Sequence, residues 1–425
     1  MNDNDDLTTH LSRTLQDTSH SMDGTSLGLA EVQGRARSIR RRRTATAVVG
    51  AVAAVALIVP TAALAAHQID RSNEPLPATN SVSPTPSETT ATDPQPAPGV
   101  LDVSDLPTGP APRMNYVYDG RLHWPDGGVG DVNTRYEPYQ FVELADGARI
   151  WQTTDNGTPY VEIQDTDGTF HDPVRSGWGL SVNRPHSIVA WLTPSGQVTI
   201  WEGWASEPRP LGDPVPGSEW DLGPVTGVGD AIPGRGGPSC QESSCTVIVT
   251  EKGATWQPWE VSDAGTSQLT DGGYLLVNDV NDAGLTIGLT RITDTGNCSK
   301  LLGGGEFQGF ATCKNTLKSF SPDGQLVLGL PPYPDGAGSN QIAMYDLDGT
   351  RLFSRASTPK VQPTYNAQEW EDDTHVLVPV FQDGMWSLVR VASDGSMEYA
   401  VAPRPGTDMT VSPYVIPTGG GVPTS

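Results

Sequence analysis

Four cysteines and seven histidines are the residues whose spacing decides which chemistry is open to this chain. Cys240, Cys245, Cys298 and Cys313 form two close pairs in the C-terminal half. In an exported region such pairs read as disulfides, Cys240–Cys245 and Cys298–Cys313, although four cysteines allow three pairings. A zinc site is the rival. It spaces each ligand pair by two to four residues, which "CQESSC" satisfies and Cys298 with Cys313 does not. His67, His123, His171, His186 and His375 stand singly, so no metal-ligand spacing forms among them. The acidic turns Asp165–Gly168 and Asn278–Gly284 fall short of the pattern that wraps calcium. There is no His-Glu-x-x-His and no phosphate-cradling glycine loop. No catalytic set, metal or cofactor is assigned, and the residues favour binding over catalysis.

Aromatic side chains are the other candidates. All 11 tryptophans follow residue 66, with Trp201, Trp204 and Trp220 close together. Such rings either stack on a ligand such as a sugar or pack between sheets. Two loops are longer than a hairpin needs: Leu330–Ser339, which holds Tyr333 and Asp335, and Gly229–Cys240, which holds Arg235. Loops of that kind carry recognition. Trp201, Trp204, Tyr333, Asp335 and Arg235 are therefore the candidate binding residues.

The compartment follows from residues 40–66. Arg40, Arg41, Arg42 and Arg43 precede 23 uncharged residues, Thr44 to Ala66. A helix of that length rises about 1.5 Å per residue, enough to cross a hydrocarbon core of about 30 Å. The arginines hold the N-terminus inside, which places the C-terminal part outside. Pro60 bends such a helix without preventing the span. A cleavable signal is the rival, because "ALA" at Ala63–Ala65 resembles a cleavage site, but the leader and the apolar run are both long for one. The expectation is a retained single-pass anchor in the cell membrane with an extracytoplasmic C-terminal domain.

Composition then divides the chain. Residues 1–43 read as a cytoplasmic tail, largely without fixed structure. Residues 67–112 are dominated by Pro, Ser, Thr, Ala and Asp, too poor in apolar surface to offset ordering entropy, and read as a disordered spacer. Residues 67–425 hold 19 basic and 44 acidic side chains. Acidity on that scale repels phosphate backbones and excludes nucleic acid as a partner.

From Arg113 to about residue 416, short runs rich in Val, Ile, Leu, Tyr and Trp alternate with Gly, Asp, Asn and Pro. That texture predicts many short antiparallel strands. "FSPDGQLVLGL" (Phe320–Leu330) is strand, turn, strand, and "NQIAMYDLDGTRLFSRA" supplies two strands more. The same order recurs in "AQEWEDDTHVLVPVFQDGMWSLVRVASDGSMEYAV" and upstream, six times between about Tyr139 and Val401, with third-to-fourth-strand turns at Gly168, Gly265, Gly349 and Gly395. A four-stranded unit cannot cover both its apolar faces alone, so repeats of this kind stack radially. Leftover strands at both ends, "NYVYDGRLHWP" and "MTVSPYVIP", pair to close the ring. The expected fold class is all-β, a β-propeller of seven blades with six as the alternative, preceded by the single transmembrane helix and the spacer. Residues 417–425 are left as a flexible tail. Trp201, Trp259, Tyr345 and Trp386, on third strands, are expected to fill the space between sheets.

The "FSPDG" turn, the "DLDG" and "SDG" hairpins and the run "FATCKNTLKSFSPDG" resemble WD40-like or TolB-like β-propeller repeats. The Arg-flanked anchor, Pro/Thr spacer and cysteine-bearing blade are similar to those of membrane-anchored propeller proteins of actinobacteria. The Gly-His and Trp-Asp dipeptides of WD40 repeats are absent, so the Asp–His networks of that family do not transfer. The resemblance implies a platform that binds a protein or cell-wall component, without catalytic residues. Two other functions fit the same layout: a sensor that signals inward through residues 1–43, and an exported propeller hydrolase.

Overall fold

The computed structural model describes residues 99–203, 205, 207–226, 245–253, 255–293, 296–303, 309–333, 338–365 and 367–419. Arg40 to Arg43, the apolar run Thr44–Ala66, the spacer up to residue 98, Trp204, Arg235, Cys240 and Asp335 lie outside them. Among the described residues no helix is long and apolar enough to cross a membrane.

The described residues form seven sheets, each built around four antiparallel strands. Blade one is composite: Tyr414–Val415 from the C-terminal end pairs with Tyr116–Tyr118, followed outward by Arg121–His123 and Val129–Asp131. The leftover strands therefore close the ring as expected. Blades two to five run Glu137–Arg175, Leu180–Leu211, Trp220–Gln268 and Leu276–Thr312. Blade six spans Thr316–Ala356 and blade seven Thr364–Pro405. The seven-bladed, all-β expectation holds.

The hairpin chemistry explains the repeat. In blade six, Phe320 pairs with Val327, and the turn between them puts Gly324 at φ 71°. Gly324 N–H donates to Ser321 O at 2.8 Å, and the Ser321 hydroxyl accepts from Leu326 N–H at 2.9 Å. A left-handed residue closes the turn, and glycine adopts that conformation without steric cost.

Inner strands such as Ile188–Leu192 are buried on both faces. Along Ile188–Leu192 every side chain is buried, because alternate residues face opposite neighbours. Val189 and Trp191 pack with Val142, Ile150 and Val161 of blade two. Ile188, Ala190 and Leu192 pack with Val225, Val247 and Val249 of blade four. Each fully buried side chain of this size contributes about 1.5–3 kcal/mol. Trp201, Tyr345 and Trp386 are buried between sheets as expected of third strands, and Trp259 is half-buried against the blade three–four core.

Two boundaries differ from the compositional reading. Residues 99–112 do not stay free of the ring: Gly99–Val100 adds a parallel strand to the outer edge of blade six, and Leu101 and Val103 are buried among blade six and seven side chains. Gln382 and Tyr399 of blade seven bind the backbone of Val103. In "GVLDVSDL", Leu101 and Val103 are the buried apolar contacts of a segment whose flanks look like spacer. At the other end, Pro417 to Gly419 lie against blade two instead of hanging free, with Thr418 N–H donating to Phe141 O at 2.8 Å.

Candidate functional site

The first strands of the blades surround the axis, and their side chains line a cavity of about 190 Å³. It opens where these strands pass into their first turns. Blade three contributes Ser181, Arg184 and His186, blade five Asn278 and Asp279, blade six Lys318 and Phe320, and blade seven Glu369 and Trp370. Thr418 and Gly419 complete the wall. Sequence reasoning named none of these as binding residues.

Arg184 is the residue that spans the site. It leaves the first turn of blade three and passes blade four, and its Nη2 reaches Asp279 of blade five at 3.3 Å. Its Nη1 donates to Ser321 O at 2.7 Å and Pro322 O at 3.1 Å in blade six. The guanidinium also lies over the Phe320 ring, 5.6 Å from its centroid. Asp279 is held further by Phe320 N–H at 2.8 Å. One planar five-donor group thus ties three blades together, a task that suits arginine's fork. Burial pushes the Asp279 carboxyl up, and Arg184 opposes that most strongly.

The turn that launches Arg184 departs from the repeat. In the equivalent turns, Gly147, Gly284 and Gly324 close the hairpin with positive φ. Blade three has His186 there, at φ 53°, and its N–H donates to Asn183 O at 2.9 Å like theirs. A non-glycine residue in that region is strained by about 1–2 kcal/mol. The imidazole offsets this: Nδ1 lies 2.8 Å from Glu143 O and Nε2 3.2 Å from Gly419 O. Burial pushes its pKa below the usual histidine value, while those two carbonyls pull the other way.

Glu369 and Lys318 face the same cavity from adjacent blades. Burial raises the Glu369 carboxyl to about 8, with Lys318 and a hydrogen bond to the Gly419 backbone acting against the rise and Asp279 with it. Lys318 is exposed and has no ion pair among the described residues. The site therefore holds one ion pair, Arg184 with Asp279, and beside it the Lys318 ammonium and a Glu369 carboxyl bonded to the Gly419 backbone. No group of three His, Cys, Asp or Glu side chains that could hold a metal occurs among the described residues.

The residues singled out in the sequence are scattered. Trp201 is buried, donates its indole N–H to Ala205 O at 2.9 Å, and belongs to the core. Tyr333 is 39% exposed on blade six, away from the cavity-lining set. Cys298 and Cys313 form a disulfide. Cys245 is disulfide-bonded as well.

Fold and site together define a seven-bladed β-propeller with a charged axial cavity. No protein-family model matches the chain, and no curated protein does. Solved structures are similar in fold. TolB from Acinetobacter baumannii is 11% identical over 73% of this chain and 68% of that one, with a TM-score of 0.38. YCF48 bound to D1 peptide is 11% identical over 69% and 88%, with 0.42. The β-propeller domain of the Trilobed protease from Pyrococcus furiosus is 9% identical over 63% and 86%, with 0.39. These likenesses bear on nothing beyond fold, and the assignment rests on the chain's own seven sheets.

Proposed function

We propose that this protein is a binding platform without catalytic activity, displayed outside the cell on a single-pass anchor, which receives a protein partner at its axial cavity. The observation that carries the reading is the convergence of Arg184, Asp279, Lys318 and Glu369, from four blades, on one concave site. Concave sites with a few convergent polar groups and perturbed carboxyls are where propellers and other folds bind ligands. The apolar run behind four arginines supports the anchor, and the paired cysteines support an oxidising compartment.

A photo-crosslinking residue placed at Ser181, inside the cavity, tests the site in living cells. One discrete protein adduct is expected from Ser181 and none from the exposed turn position Asp167. No adduct from Ser181, or equal adducts from both, overturns it. Alkaline phosphatase fused after residue 98 should be active and after residue 20 inactive; the reverse pattern removes the topology.

A further inference from the structure

We propose that the Cys298–Cys313 bridge of blade five is a thiol-exchange site: a thiolate attacks the exposed Cys313 sulfur, and Cys298 departs as a thiolate held by Arg291. None of the three residues lines the axial cavity, so this site is separate from the one described above.

The sheet register brings the three residues together. Arg291 pairs with Cys298 between the second and third strands of blade five. Ser299 pairs with Thr312 between the third and fourth, so the next step of that register sets Cys298 opposite Cys313. Arg291 Nη2 donates to Cys298 Sγ at 2.8 Å and lies 3.4 Å from Cys313 Sγ. A disulfide sulfur is a weak acceptor, whereas a guanidinium is built for carboxylates and phosphates. The chain offers 50 acidic side chains to 26 basic ones, yet Arg291 makes no ion pair among the described residues and rests on the bridge instead. Its charge is fully answered only when a sulfur becomes a thiolate, the form that a neighbouring cation favours.

The two sulfurs are not equivalent. Cys298 is 9% exposed, whereas Cys313 lies on the surface just past the outer strand. An incoming thiolate therefore reaches Cys313, and the exposed Lys314 next to it in the chain attracts negative charge. The sulfur that must leave is the one nearer Arg291. A better stabilised thiolate leaves faster, so access and charge select the same direction of attack.

The attacking sulfur bonds to Cys313 Sγ, the bridge breaks, and its electron pair stays on Cys298 Sγ. A second thiolate then displaces Cys313 from the mixed disulfide. Two thiols are oxidised to one disulfide, and the bridge is reduced to two thiols. The co-reactant is a thiol, either a small one or a protein dithiol.

The test treats the full-length chain in mild detergent with glutathione, or with a dithiol reductase of the thioredoxin class. Iodoacetamide stops the reaction, and peptide mass mapping reads each cysteine. In the native fold, glutathione should appear on Cys313 and the alkyl group on Cys298, while the buried Cys245 stays bonded. Arg291→Met should slow opening by glutathione about tenfold. Arg291→Lys, which keeps the charge, should slow it less. In urea, where the register is lost, the parent and Arg291→Met should open at one rate, which separates the guanidinium's effect from a change in stability. Opening by glutathione shows that a small thiol suffices, and opening by the reductase alone assigns a protein dithiol; either supports the site. A bridge that both thiols leave closed, glutathione on Cys298 instead of Cys313, or native Arg291→Met opening as fast as the parent overturns it.

Discussion

Arg184 Nη2 lies 3.3 Å from Asp279, joining the first turn of blade three to the first strand of blade five past the intervening blade four. Both side chains are less than a fifth exposed. Removing one partner leaves the other charge enclosed and unanswered, which is where buried pairs become costly. Arg184→Met should lower the unfolding free energy by about 2 kcal/mol, below the fully buried range because water still reaches the pair. Arg184→Lys should fall between, since an ammonium cannot serve Asp279 and two carbonyls at once. Urea melts of the two variants check this, and equal stability of all three proteins would show that the link between blades is idle.

His186 tests whether the strained turn exists to place Arg184. Glycine at this position relieves the left-handed backbone but loses the contacts to Glu143 O and Gly419 O. Alanine loses the same contacts and keeps the strain. His186→Ala should therefore be less stable than His186→Gly by about 1 kcal/mol. If the two melt together, the φ of 53° costs nothing and has no bearing on the site.

The same two residues show where sequence reading stops. Asp-Gly turns, doubly apolar strands such as Ile188–Leu192, and the leftover end strands were all legible, because hairpin geometry and two-faced burial write themselves into local pattern. The composite blade followed from counting strands. The site did not. Arg184 and Asp279 are 95 positions apart, and nothing local marks an arginine that will reach past a blade. Glu369 sits in "EWEDD", where four acids read alike as solvated charge until the ring encloses one. One local signal was available: "NRPH" breaks the Gly-closed turn of its relatives. Leu101 and Val103 offered another, a period-two pair at the end of a spacer-like stretch.

The docked N-terminal segment should depend on a single arginine. Arg390 is 3% exposed; its Nε and Nη2 bind the Glu371 carboxylate, and Nη1 donates to Glu398 at 2.5 Å. It also donates to Pro110 O and Ala111 O, both at 3.1 Å, so it pins the chain as it enters the ring. Glu371 accepts from Arg113 N–H on the same segment. Arg390→Met strands Glu371 without its cation and should cost about 3–5 kcal/mol. Trypsin should then cut after Arg113 well before the rest of the propeller, and unchanged cleavage there would mean that Leu101 and Val103 hold the segment unaided.

The Cys298–Cys313 bridge closes a loop of sequence separation 15 and fastens the third strand of blade five to the residue after its outer strand. In the chain-entropy treatment a loop of this length contributes about 3 kcal/mol. The double variant Cys298→Ser, Cys313→Ser should lose about that much stability in denaturant while keeping the strand signature in circular dichroism. A loss well under 1 kcal/mol would indicate that the loop is already constrained when the chain is unfolded.

Glu369 gives the fold a pH dependence of definite sign. Folded, its carboxyl is raised to about 8 from an ordinary 4.5, so the native state keeps a proton that the unfolded chain releases. Between those values the unfolded state binds fewer protons, and stability falls as pH rises. Below 4.5 both states are protonated and the residue is neutral in its effect; above 8 the full penalty of an enclosed carboxylate is present. Glutamine carries no such penalty. Glu369→Gln should therefore match the parent near pH 4, and its melting temperature should pull ahead through pH 5–8 and stay ahead at pH 9. A site shaped only for stability would not retain a group that glutamine improves upon. Coincident melting curves at pH 9 would place Glu369 in contact with bulk water and remove it from the cavity's chemistry.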